Sequence, residues 1–166
     1  MPLIRLFFDI ALFRLGPQDC PASTFLLWLA LAENLAVGVL LALLDPDWLD
    51  ALARSVIGAL MLAAFLGAAL YLSGKMSRFL QTATAAFGCD TLVSVLAIPF
   101  LVGAQWSPEA AGILLLLLMA WQIAVIGHIL RHALSIALPT GVGLALAYTA
   151  VSYRIIMELF PAPPLN

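Results

Sequence analysis

The sequence predicts an all-α fold: a polytopic membrane protein with five transmembrane helices in one bundle, preceded by a short interfacial helix. Composition, run length and punctuation carry that prediction. Its 166 residues are 64% hydrophobic and 10% charged, whereas a soluble domain carries roughly a quarter charged residues. The apolar runs approach or exceed the ~20 residues that cross ~30 Å of hydrocarbon. Proline, glycine and charged residues divide those runs into five segments. One membrane domain uses nearly the whole chain. The expected division is an interfacial segment over 1–22, the five-helix domain over 23–160 and a Pro-rich tail over 161–166.

The first residues, MPLIRLFFDIALFRLGPQDC, are too short to span before Gly16 and Pro17. Asp9 and Arg14 interrupt the apolar stretch, and a small-residue cleavage site is not evident, so a signal peptide is not expected. Arg5 and Asp9 share one face of a helix, and Phe7, Phe8, Leu12 and Phe13 are free to enter the acyl region, as in an interfacial helix. Arg14 points away from Arg5.

The first span runs from about Ser23 to Leu44 and ends at Asp45-Pro46-Asp47. The second covers about Leu52 to Ser73, before Gly74 and Lys75. The third covers Phe79 to about Gly103 and is closed by Gln105, Trp106, Ser107 and Pro108, with a bend expected at Pro99. The fourth covers about Ala110 to Leu130. The fifth follows Pro139 and reaches Phe160, where Pro161, Pro163 and Pro164 forbid further helix. Ala30, Asn34, Gly38 and Ala42 form a small-residue strip on the first span. Ala59, Ala63 and Gly67, with Ala64 and Ala68 beside them, form another on the second. Both are expected to pack helices closely.

Lys and Arg in the short loops set orientation. With a cytoplasmic N-terminus, the inner side receives Arg5, Arg14, Lys75, Arg78 and Arg131, and the outer side only Arg54 and Arg154. The expectation is therefore N-terminus in and C-terminus out, with Trp48 and Trp106 in the outer aromatic belt. A compact chain of this kind fits a bacterial inner membrane. The net charge of −2 lacks the basic face that nucleic acid requires. The expected surroundings are the lipid bilayer and a membrane-protein partner or further copies of the chain. Cys20 and Cys89 fall at a membrane edge and in mid-span, so a disulfide between them is not expected. Two thiols alone make no zinc site.

Polar residues inside the apolar runs are the candidates for function. Glu33 and Asp90 lie ~15 Å and ~16 Å from the inner ends of parallel spans, at ~1.5 Å per residue. Both therefore fall near the midplane, where Gln122 and Tyr148 reach similar depth and Asn34, Thr91 and Ser94 add polar atoms. An acid there costs roughly 2.5–3.5 kcal/mol on insertion scales, so it is expected to face the bundle interior with a partner. Two roles suit it. One is a proton or cation relay; the other is a clasp in which protonated Asp90 donates to Gln122 or Glu33. Arg154 is the one cation whose side chain is placed to reach down from the outer side.

Lys75, Arg78, His128, Arg131 and His132 form the second group, an expected cationic cuff at the inner interface. Cations there meet the negative end of the helix dipole and anionic headgroups. His128 and His132, four residues apart, have the spacing of metal ligands, but no Cys, Asp or Glu near them in sequence completes a shell and HExxH is absent. No metal, cofactor or catalytic residue is expected. The sequence has no P-loop, no nucleophile elbow and no CxxC. An odd number of spans without internal symmetry argues against an inverted-repeat transporter.

Two stretches resemble a family. TATAAFGCDTLVSVLAIPF is similar to the third span of Yip1-type membrane proteins, with Phe87 for the usual Tyr and Thr91 where a Pro is usual. MAWQIAVIGHILRHALSIALPTGVGLAL is similar to their Trp-containing fourth span, basic-ended turn and small-residue fifth span. The resemblance covers Phe79 to Tyr153. It implies a non-enzymatic, membrane-organising or partner-binding subunit. The residues themselves also fit a small proton- or cation-coupled transport component using Glu33 and Asp90. A third reading is a lipid-active enzyme around His128, Arg131 and His132.

Overall fold

The computed structural model describes residues 3–45, 47–103 and 107–161. The expected breaks at Pro46, Gln105, Pro163 and Pro164, and the Trp106 part of the aromatic belt, lie outside the described residues. Within them the chain is helical with no strand. Its helices are α1 (Leu3–Ala11), α2 (Thr24–Ala42), α3 (Trp48–Leu72), α4 (Phe79–Gly103), α5 (Pro108–Leu134) and α6 (Leu138–Leu159). Single 3-10 turns at Pro17–Asp19 and Met76–Arg78 precede α2 and α4. Helices α2 to α6 are long and apolar enough to cross a membrane. Even α2, at 19 residues, extends about 28 Å. Short connections make the five alternate in direction. One end of the bundle gathers the N-terminal turn, the α3–α4 turn and the α5–α6 turn; we term it the basic end. The opposite, acidic end carries Asp45, Asp47, Asp50 and Glu109.

Helix ends follow capping chemistry. The Ser23 hydroxyl accepts from the Leu26 amide at 3.4 Å and starts α2. Helix α3 begins at Trp48 rather than near Leu52, because Asp47 stands at its N-cap and Asp50 in its first turn, where the helix dipole favours acids. Helix α5 continues past Leu130 to Leu134, so Arg131 and His132 form its last turn. It stops where Ser135 adopts φ 55° and the Ile136 amide returns to the Arg131 carbonyl at 3.0 Å, a left-handed C-terminal cap. Helix α4 runs through Pro99 as one helix.

Helix α4 is the centre of the bundle, packed against α1, α2, α3 and α5 and buried continuously from Thr82 to Cys89. The expected strip on α2 faces inward: Ala30 and Ala42 are buried, Asn34 and Gly38 half-buried. On α3 the buried seam is Ala59, Leu62, Leu66 and Leu70. Ala63 and Gly67 flank it, while Ala64 and Ala68 are exposed. Helices α5 and α6 cross at Gly127 and Gly141, so closely that a Cβ on Gly141 would overlap the Gly127 carbonyl.

The short N-terminal helix is present as expected, and one of its faces is packed against the bundle. Phe8, Leu12 and Phe13 are exposed, as expected, but Phe7 is 3% exposed and Ile10 is 0%. The Phe7 ring fills the space over Gly88, where any Cβ would overlap it. Arg14 does not point away from Arg5. Both reach Asp9, at 3.6 and 3.8 Å. The chain reverses after α1 with Phe13 at φ 61°, and the Arg14 and Leu15 amides return to the Asp9 carbonyl at 2.8 and 3.2 Å.

Candidate functional site at the bundle centre

Asp90 lies eleven positions into α4 from Phe79, roughly 16 Å from the basic end. Three helices bring polar groups to it. The Asn34 amide on α2 donates to Asp90 Oδ2 at 2.8 Å, and also reaches Thr91 Oγ1 at 3.4 Å. The Gln122 amide on α5 donates to Asp90 Oδ1 at 2.7 Å. Thr91 sends its own hydroxyl to the Phe87 carbonyl at 2.9 Å. Both Asp90 oxygens therefore accept, which corrects the expectation that Asp90 donates to Gln122 or Glu33.

Asp90 is half-buried and lines a cavity of about 250 Å³ with Asn34, Ser55, Ser94, Gln122 and Tyr148. That size holds several waters by the ~30 Å³ each occupies in the liquid. The Gln122 Oε1 atom is buried with no hydrogen-bond partner among the described residues. Tyr148 on α6 stacks on Phe65 of α3, with ring centroids 4.7 Å apart, which fixes one wall. The Asp90 carboxylate and several hydroxyl side chains line one space, and Gln122 lines it too, with its unpaired oxygen buried. This is an all-oxygen donor set with a single formal charge, suited to a proton, a hydrated proton or a monovalent cation.

Glu33 does not join them. It is exposed on the outer side of α2, about 100° around the helix from Asn34, at a depth of roughly 14 Å from Thr24. The expectation that it faces the interior is overturned. Arg154 does not reach down either; it pairs with Glu158 at 3.1 Å, exposed.

The cuff residues separate into different roles. Lys75 Nζ donates to the Leu134 carbonyl. Arg78 Nη1 donates to the carbonyls of His132 and Ala133 at 3.1 and 3.0 Å and to Ser135 Oγ at 3.1 Å. These two cations close the C-terminus of α5, where orphan carbonyls gather. Arg131 is exposed and His132 half-buried. His128 is not part of the cuff: it is 4% exposed, and its Nε2 donates to the Leu15 carbonyl at 2.9 Å. Its ring meets Phe13 edge-on at 5.2 Å and His132 at 4.6 Å. His128 pins the N-terminal segment.

Sequence reasoning missed the other pins. Gln81 Nε2 donates to the carbonyls of Gln18 and Cys20 at 3.2 and 2.8 Å. Trp121 Nε1 donates to the Ala11 carbonyl at 3.1 Å. Asp19 Oδ2 accepts from the Gly16 amide at 2.8 Å. Only the last had a local signal, an acid three residues after a Gly-Pro start. Cys20 and Cys89 are both free and buried. Burial, with Asp19 nearby adding to it, pushes the Cys20 thiol up to about 12.

Comparison of the chain with protein families, with curated proteins and with solved structures gave no match.

Proposed function

We propose that this chain is a small proton- or cation-coupled component of membrane transport, with Asp90 as the ion-binding group. The observation that carries the reading is the carboxylate of Asp90 opening onto a polar cavity between spans, beside an unpaired Gln122 oxygen. A clasp alone needs only the bonds to Asn34 and Gln122. It needs neither a cavity nor a spare acceptor, and polar groups lining a cleft between membrane helices are costly unless water, an ion or a partner meets them. The test is flux. Purified protein in liposomes should carry protons or a monovalent cation down an imposed gradient, read by an internal dye, and Asp90→Asn should abolish it. Flux equal to empty liposomes, or unchanged by Asp90→Asn, refutes the reading.

Glu33 favours a second reading, the Yip1-like partner-binding subunit. An exposed carboxylate at mid-depth of a span costs several kcal/mol against lipid, and a neighbouring helix with a hydrogen-bonding group removes that cost. Extraction in mild detergent should then retain a stoichiometric membrane partner, lost in Glu33→Leu. Retention of that partner by Glu33→Leu would reject this face as the contact.

For orientation, we propose a cytoplasmic N-terminus in a bacterial inner membrane. At the acidic end both cations are paired, Arg54 with Asp45 at 3.2 Å and Arg154 with Glu158. At the basic end cations outnumber acids, which favours the cytoplasmic side.

A further inference from the structure

At the basic end a second cavity, of about 280 Å³, opens between the Pro17–Asp19 turn, the start of α4 and the end of α5. Its polar lining is Gln18, Arg78, Gln81, Thr82, His132 and Ser135. It contains no carboxylate; the neighbouring Asp19 holds the Gly16 amide instead. We propose that this pocket binds a phosphate anion, as the phosphodiester of an anionic phospholipid or as a soluble phosphate.

The argument rests on how Arg78 is held. Its Nη1 is fixed by two carbonyls and the Ser135 hydroxyl, so the guanidinium plane has one orientation. Its Nε and Nη2 have no partner among the described residues. A guanidinium locked on one edge with its other edge open is a preorganised fork for two oxygens of one phosphate. The Ser135 oxygen accepts from Arg78, which leaves its proton available to an anion. The left-handed conformation of Ser135 brings that hydroxyl over the end of α5.

The His132 ring supplies a further donor on the same wall. Gln81 and Thr82 spend their donors internally, on Gln18, Cys20 and Arg78 carbonyls, and so build the floor rather than compete for ligand. Position agrees with the chemistry, because the pocket lies at the start of α4 and the end of α5, the level at which headgroups are expected for helices that span the membrane. It is separate from Asp90 and independent of the transport reading.

The test uses the full chain in detergent. Native mass spectrometry would measure retention of phosphatidylglycerol against phosphatidylcholine. Thermal unfolding in lipid-free detergent would measure stabilisation by inorganic phosphate against chloride at equal ionic strength. Either phosphate probe should be preferred, and which one responds identifies the source. Losing a charge-assisted contact weakens binding about tenfold, so Arg78→Gln should lower retention by that order. Gln18→Glu, at an exposed residue that caps nothing, should do the same by placing a carboxylate in the pocket, and it carries the test if Arg78→Gln fails to fold. Arg131→Gln, exposed and outside the pocket, should change little. The proposal is overturned if neither probe is preferred. It is equally overturned if the preference survives Gln18→Glu, or if Arg131→Gln removes it as fully.

Discussion

Replacing Asp90 by Asn separates ion binding from helix clasping. Asp90 offers one oxygen to Asn34 at 2.8 Å and the other to Gln122 at 2.7 Å. The substitution keeps the shape and turns one acceptor into a donor, so one of the two contacts must turn over. Gln122 has the means, since its buried Oε1 is unpaired and accepts the new donor once the amide rotates. Polar contacts between membrane helices average about 0.6 kcal/mol and reach about 1.7. With one contact kept and the other recovered, the net cost is ~1 kcal/mol or less. Asp90→Leu leaves the Gln122 amide facing no protein acceptor and the Asn34 amide only its long contact to Thr91 Oγ1 at 3.4 Å; an orphaned donor costs about 1–3 kcal/mol, so the substitution should cost about 2 kcal/mol. Circular dichroism during thermal unfolding in mild detergent, run on the wild type and both variants, measures the difference. Asp90→Asn should melt close to wild type, Asp90→Leu well below it, and both should lose ion flux. If Asp90→Asn unfolds as readily as Asp90→Leu, the bonds to Asn34 and Gln122 are the residue's main purpose and the reasoning fails.

Three further perturbations test other parts of the account. Gly88→Leu should drive Phe7 out of its seat and destabilise the fold by about 1–3 kcal/mol, seen as faster proteolysis ahead of Pro17; an unchanged cleavage rate would disprove the docking of α1. Cys20 should resist a maleimide at pH 8 in the folded protein, because its thiol is buried and its pKa lies near 12 instead of 9.0. The folded state holds that proton more tightly than the unfolded chain, so this contribution to stability is complete below pH 9 and declines as pH rises from 9 toward 12. A melt in that window, flattened by Cys20→Ala, checks the sign. Glu33→Leu should raise the melting temperature of the isolated monomer in detergent or leave it unchanged, since the side chain contacts solvent rather than the core; a marked loss would mean that Glu33 has an internal partner.

The spans were legible because their signals are local. Ser23, Asp45, Gly74, Pro108 and Pro139 each stand where a helix must start or stop. The boundary errors have different sources: Asp47 and Asp50 read as loop charges although a helix dipole welcomes acids in its first turn, while Arg131 and His132 are expected at the end of the fourth helix, which runs one turn further to Leu134. The polar cluster was legible from depth alone, which put Asn34, Asp90, Thr91, Gln122 and Tyr148 at one level. Depth carries no rotation, however, and Glu33 and Asn34 share a level while lying about 100° apart around α2, one exposed and the other turned to the bundle. The strip Ala30, Asn34, Gly38 and Ala42 did carry the phase, and Glu33 lies off it. Nothing local marks the docking of α1. Phe7 needs Gly88 and Leu15 needs His128, contacts between distant parts of the chain that only tertiary packing reveals.

Water at Asp90 is the central claim, and labelling tests it most directly. In a background with Cys20→Ala and Cys89→Ala, Ser94→Cys places one thiol on the cavity wall beside Asp90. A membrane-impermeant thiol reagent added to intact vesicles of both orientations should modify it, at a rate slowed by Asp90→Leu on the same chain as the cavity loses its polarity. Asp47→Cys, exposed at the acidic end, sets the rate for full access. Modification of Ser94→Cys within a few orders of magnitude of that rate is the predicted result. No modification, while Asp47→Cys reacts to completion, would make the cavity dry and Asp90 a clasp.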